Sequence, residues 1–188
     1  MVKEARKTVL RMRMRHAPGK HDQPDMADGA RLVAAQSLPT ALLASLVAIG
    51  LFCVFWVAIS DLFGRVFPWL TVALGFLVGS AVRRGGLGID WRFPLLAAVM
   101  TVIGSLFALI VLAASYTASD LNTNVFKVLW NVTANTWPVF FAEVVNIADV
   151  VYALSGAALA AFLANRRLSR SEYHAVRVWK EGHSRVEG

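Results

Sequence analysis

Two stretches of the chain run without one charged side chain, Leu32–Ser60 and Phe93–Ser119. Apolar runs of this length are membrane-span candidates, because about 20 residues at ~1.5 Å rise cross a hydrocarbon core of ~30 Å. Between and after them the same apolar character returns in shorter blocks. The pattern predicts four helices, at about 38–60, 66–83, 93–117 and 144–164. Pro39 and Pro94 fall in first turns, where the missing N–H costs nothing. The stretch "DLFGR", with Asp61, Gly64 and Arg65, breaks helix one from helix two, and Trp56 and Trp69 flank it as an aromatic belt would. Asn165, Arg166 and Arg167 stop the fourth helix.

The polar positions then orient the chain. With four spans, both tails and the 83–92 loop share one side. That side holds seventeen of the nineteen Lys and Arg residues, and the other holds Arg65 and Lys127. The positive-inside rule makes that side cytoplasmic. The expected fold is an all-α integral membrane protein, a four-helix bundle with both termini inside. Residues 1–37 and 165–188 are basic tails around a membrane domain at 38–164. The charged leader before the first long apolar run argues against a cleaved signal peptide, and the Ala, Arg and Val bias points to a bacterial inner membrane.

Between the third and fourth spans, Leu121, Val125, Val128, Leu129 and Val132 recur at helical spacing. Asn122, Thr123, Lys127 and Asn131 fall on the other side. This predicts an amphipathic helix in the outer interface, broken at Pro138, with Trp130, Trp137, Phe140 and Phe141 at headgroup level. Asn131 opens an N-V-T sequon, which has meaning only in a secretory pathway.

Charge is only 16% of the chain, and the net +7 collects in the tails and hairpin. Topology already accounts for that excess, so nucleic acid is not an expected partner; anionic lipid at the cytoplasmic face is. Cys53, alone in an apolar run, allows neither an intrachain disulfide nor a cysteine metal site. His16, His21, His174 and His183 all sit in the tails, away from any span serine or acid, so no triad is assembled. "HDQPDMADG" offers His21, Asp22, Asp25 and Asp28 as loose cation ligands, but its Pro and Gly read first as a flexible linker. No metal or cofactor is implied.

Three features carry what chemistry there is. Asp149 is the one acid inside an expected span; an intramembrane carboxylate points to a proton or cation role, yet near the start of its helix it also suits a cap. Gly75, Gly79, Gly156, Ala160 and Ala164 repeat every fourth residue, the spacing that lets helix backbones approach in lipid, within this chain or against another copy. The hairpin "GSAVRRGGLGIDWRF" sets Arg83, Arg84 and Arg92 around Gly86 and Gly88. It lacks the Lys of a phosphate loop and the spacing of a dinucleotide fingerprint. Its glycines are expected to end helix two, Asp90 to cap helix three, and the arginines to leave room for a lipid headgroup.

At this hairpin the chain resembles small bacterial four-span proteins of unassigned function. In these, the second helix ends in G-x3-R-x2-G-x-G, the third starts with Arg and an aromatic residue, and an Asp stands early in the last span. The matching residues are Gly79, Arg83, Gly86, Gly88, Arg92 and Asp149. Ser80 stands where tyrosine is common, and Phe93-Pro94 replaces a polar pair. The resemblance covers about half the chain and implies a fold and a membrane location, with no activity. The functional expectation is a non-catalytic membrane subunit, associated with a larger complex or with itself. A small ion or lipid carrier using Asp149 and the Arg83/Arg84 loop is the alternative.

Overall fold

The computed structural model describes residues 26–131, 138, 142 and 145–184. Those residues form seven helices and no strand: α1 (Met26–Ala34), α2 (Leu38–Phe63), α3 (Leu70–Gly86), α4 (Arg92–Asp120), α5 (Val125–Asn131), α6 (Ile147–Ala164) and α7 (Arg170–Ser184). They fall into two units, Gln36–Arg166 and the two flanking tails.

In the larger unit, α3 and α4 form the middle. Each packs against the other and against both α2 and α6, while α2 and α6 make no contact with one another among the described residues. Three helices, α2, α4 and α6, are long and apolar enough to cross a membrane. The fourth expected span, α3, has 17 residues and begins at Leu70 rather than near 66. Its start is displaced by Pro68, whose carbonyl accepts Thr71 N–H at 3.2 Å in a turn that precedes the helix. The other boundaries also move. α2 runs on through Asp61 to Phe63, and the break falls at Gly64, which holds the left-handed backbone (φ 62°) that ends helices.

The core is apolar, built on Phe52, Trp56, Leu74, Val78 and Val82, with small hydroxyl residues set into it, and the outside of the bundle is apolar too. Ser45, Ser60, Thr71, Thr101 and Ser105 are buried, whereas Leu43, Val47, Leu51, Val54, Ile103, Phe107, Leu154 and Phe162 stand exposed. Four of the five buried hydroxyls bond a carbonyl three or four residues earlier in the chain: Ser45 to Leu42, Thr71 to Pro68, Thr101 to Ala97 and Ser105 to Val102. Trp56, expected in an interfacial belt, is instead 1% exposed in the core beside Phe52, with ring centroids 5.5 Å apart. Trp69 is exposed. Cys53 is a core residue.

Elsewhere the tails and outer segment depart from expectation. Residues 26–29, the end of the stretch expected as a linker, belong instead to helix α1, which pairs with α7; residues 21–25 lie outside the described residues. Gly29 permits that pairing, since a methyl group there would strike the Ala175 carbonyl. The C-terminal tail does not continue from α6. The chain extends at Asn165, and α7 starts afresh with a capping box, in which Ser169 N–H donates to Glu172 Oε2 at 2.8 Å and Glu172 N–H to Ser169 Oγ at 3.3 Å. In the outer segment only α5 is a described helix. It packs on α4 with Val125, Val128 and Leu129 half-buried. Leu121 lies before it and is exposed. Val132, Trp137, Phe140 and Phe141 lie outside the described residues; Pro138, expected as a break, is itself helical.

Candidate functional site

The hairpin between α3 and α4 gathers four helix ends at one end of the bundle. Thr40 Oγ1 donates to Gly85 O at 2.6 Å, and Ser37 N–H to Gly86 O at 3.0 Å. Ile89 N–H donates to Gln36 Oε1 at 3.1 Å, and Arg166 N–H to Gly88 O at 2.9 Å. The start of α2 and the second residue after α6 are thereby tied to the loop. The hairpin is a clasp, and its carbonyls are occupied by the protein itself.

Its glycines do not end α3 as expected. The helix runs through Gly86, and Leu87 takes the left-handed backbone (φ 48°), a conformation that costs a bulky residue roughly 1–2 kcal/mol. Gly86 and Gly88 instead make room for the Phe93 ring. A methyl group on Gly86 would come within 2.6 Å of Phe93 Cε1, and one on Gly88 would enter the ring. Nor is Asp90 the cap of α4. Trp91 occupies that position without a side-chain cap bond, and the Asp90 backbone carbonyl accepts Phe93 N–H at 3.3 Å. Arg83 is half-buried and Arg84 and Arg92 are exposed at this end.

The small residues of α3 and α6 meet within the chain. Because the C-terminal ends of both helices reach the clasp, the two run parallel, with Gly75 against Gly156 and Gly79 against Ala160. A methyl group on Gly75 would strike the Gly156 carbonyl. One on Gly79 would meet Ala160 O at 2.7 Å, and one on Gly156 would meet Thr71 O at 2.6 Å. Ala160 and Ala164 are fully buried. No side chain separates the backbones along this seam, the closest kind of helix contact.

Asp149 sits at the far end of α6 from the clasp. It is the third residue of the helix, and its Oδ2 accepts Asn146 N–H at 3.0 Å in a capping box with the Asn146 side chain. The structure therefore does not bring Asp149 to Arg83 and Arg84; the length of α6, ~25 Å at 1.5 Å per residue, separates them. A cap of this kind carries a modest stability term. Asp149→Ala is expected to cost about 1 kcal/mol and Asp149→Glu less than half of that, read as thermal midpoints of the detergent-solubilised protein. Equal midpoints for Asp149→Ala and the parent would remove the cap from the account.

At that same far end, sequence reading missed a polar pocket between α2 and α4. Asp61, Ser115, Tyr116 and Ser119 line a small cleft over Val57 and Leu112. Tyr116 Oη donates to Ser60 O at 3.2 Å, and the buried Trp56 Nε1 and Ser60 Oγ have no partner among the described residues. The hydroxyl spacing at 115 and 119 was the available signal.

Among the described residues, no three His, Cys, Asp or Glu side chains gather as metal ligands would. His16, His21, Asp22 and Asp25 lie outside the described residues. Asp28 faces Arg31 at 3.9 Å, an exposed pair. His174 is exposed on α7.

No family model, no curated protein and no solved structure matches this chain. Its function is read from its own geometry.

Proposed function

We propose that this protein is a non-catalytic membrane subunit, a four-span bundle that works through its outer surface as a packing or assembly partner in a larger membrane complex. The observation that carries this reading is the backbone-on-backbone seam of α3 and α6. It supports an interior with no path for a solute, and so a function on the outside. On that outside stand broad apolar faces of α2, α4 and α6, and the exposed Phe126 and Trp130 of α5. The short α3 is read as the fourth span, shielded by its three neighbours. Both tails, which leave the bundle beside the clasp through Gln36 and Arg166, are assigned to the cytoplasmic side of a bacterial inner membrane on the charge asymmetry.

Purification of the full chain in mild detergent, with mass spectrometric identification of co-purifying chains, tests the reading. A stoichiometric membrane-protein partner is the expected result. A homo-oligomer that moves ions across vesicles, and stops in Asp149→Asn, would overturn it in favour of a carrier. Orientation is tested with cysteines placed singly at Ser119 and Ser171 in a Cys53→Ala background. Labelling of both from one side would refute the four-span arrangement.

A further inference from the structure

Three arginines, Arg83, Arg84 and Arg92, stand at the α3–α4 hairpin. Arg83, Arg84 and Arg92 form no ion pair among the described residues. An arginine at a helix C-terminus ordinarily reaches the last free carbonyls. Here Gly85 O already accepts Thr40 and Gly86 O accepts Ser37. One acid, Asp90, shares residues 83–92 with these three cations, which leaves the hairpin at net +2. The surface beneath it is equally specific. From Arg92, α4 presents an exposed stripe of Leu95, Val99, Ile103 and Phe107, with exposed Trp91 beside its head. From Leu95 to Phe107 the stripe measures ~18 Å at 1.5 Å per residue, against ~15 Å for one leaflet of hydrocarbon.

We propose that this rim binds an anionic phospholipid. Its phosphodiester rests on Arg92 with Arg83 and Arg84 supplying further positive charge, its glycerol region lies at Trp91, and an acyl chain runs along Leu95 to Phe107. Charge complementarity selects the occupant: a cationic rim without an ion pair among the described residues, continuous with an apolar stripe one leaflet long, fits a single negatively charged lipid. The assignment rests on the membrane reading above, with this end at a leaflet surface.

The test uses the full chain reconstituted in phosphatidylcholine nanodiscs doped with phosphatidylglycerol, then re-extracted in mild detergent, with retained lipid counted by mass spectrometry. Phosphatidylglycerol is expected to be enriched over phosphatidylcholine by roughly tenfold or more, given three near-surface arginines. Arg83→Gln/Arg84→Gln/Arg92→Gln should return the ratio to that of the disc, and the matching Lys triple should keep most of the enrichment. Arg167→Gln/Arg170→Gln/Arg185→Gln removes the same charge from the tail and should leave the ratio unchanged. Retention in the hairpin Gln variant, loss in the hairpin Lys variant, or equal loss in the tail variant overturns the proposal. Displacement by millimolar inorganic phosphate would make this a free-anion site and overturns the lipid assignment. Co-elution of protein with the disc is read independently, so failed enrichment is distinct from failed membrane insertion.

Discussion

Replacing Gly75 by alanine should cost roughly 3 kcal/mol, while the same replacement at Gly50 should cost less than about 0.5 kcal/mol. Both glycines lie within helices and both changes add one methyl group. At Gly50 that methyl group meets nothing within 4 Å. At Gly75 it collides with the Gly156 carbonyl, and backbone has no rotamer by which to give way. The seam must open along its length, which also uncouples Gly79 from Ala160. Thermal unfolding of both variants in one detergent reads the difference directly. Indistinguishable midpoints would mean that α3 and α6 do not meet as described.

The second large effect is expected at Phe93, which is 2% exposed. Phe93→Ala should cost about 3–4 kcal/mol, from lost burial and the cavity left beneath the hairpin. The stronger form of this prediction is a coupling. Gly88→Ala alone places a methyl group in the Phe93 ring and should cost about 2 kcal/mol or more. In the Phe93→Ala background the obstacle is gone, and the same change should cost under about 1 kcal/mol. Gly88 has no positive φ, so its backbone does not itself demand glycine. Additive costs in the four-member cycle would show that these glycines serve the backbone rather than the ring.

The long helices were legible because an uncharged run of more than twenty residues has few other uses, and α2 and α4 follow the runs within a few residues. Which side of each helix faces inward was not legible. α2 is apolar all round, so periodicity does not separate Trp56, in the core, from Phe55, outside it. Leucines lie on both sides, Leu74 and Leu112 in the core and Leu51 and Leu154 outside it, so apolar residues alone do not mark the inner face. Two local rules were written plainly in the chain. Asn146-x-x-Asp149 and Ser169-x-x-Glu172 are both capping boxes, and the second marks the start of α7 in the C-terminal tail. Leu87 lay beyond such rules: with glycines on both sides of it, nothing local assigns the left-handed position to the leucine. The pairing of Gly75 with Gly156 within one chain is tertiary, and the spacing of small residues left the partner open.

The clasp also fixes an order of events. Its bonds to Ser37 and Thr40 join segments that exist once α3 has emerged, but the bond to Gly88 O waits for Arg166. Until α6 arrives, α3 carries an uncovered groove at Gly75 and Gly79. Closing it is a late, long-range step, of the kind that slows folding. During that interval a second nascent chain offering its own small-residue face would compete for the same groove. The moment at which this bundle is most open to a wrong partner is therefore the delay between synthesis of α3 and synthesis of α6.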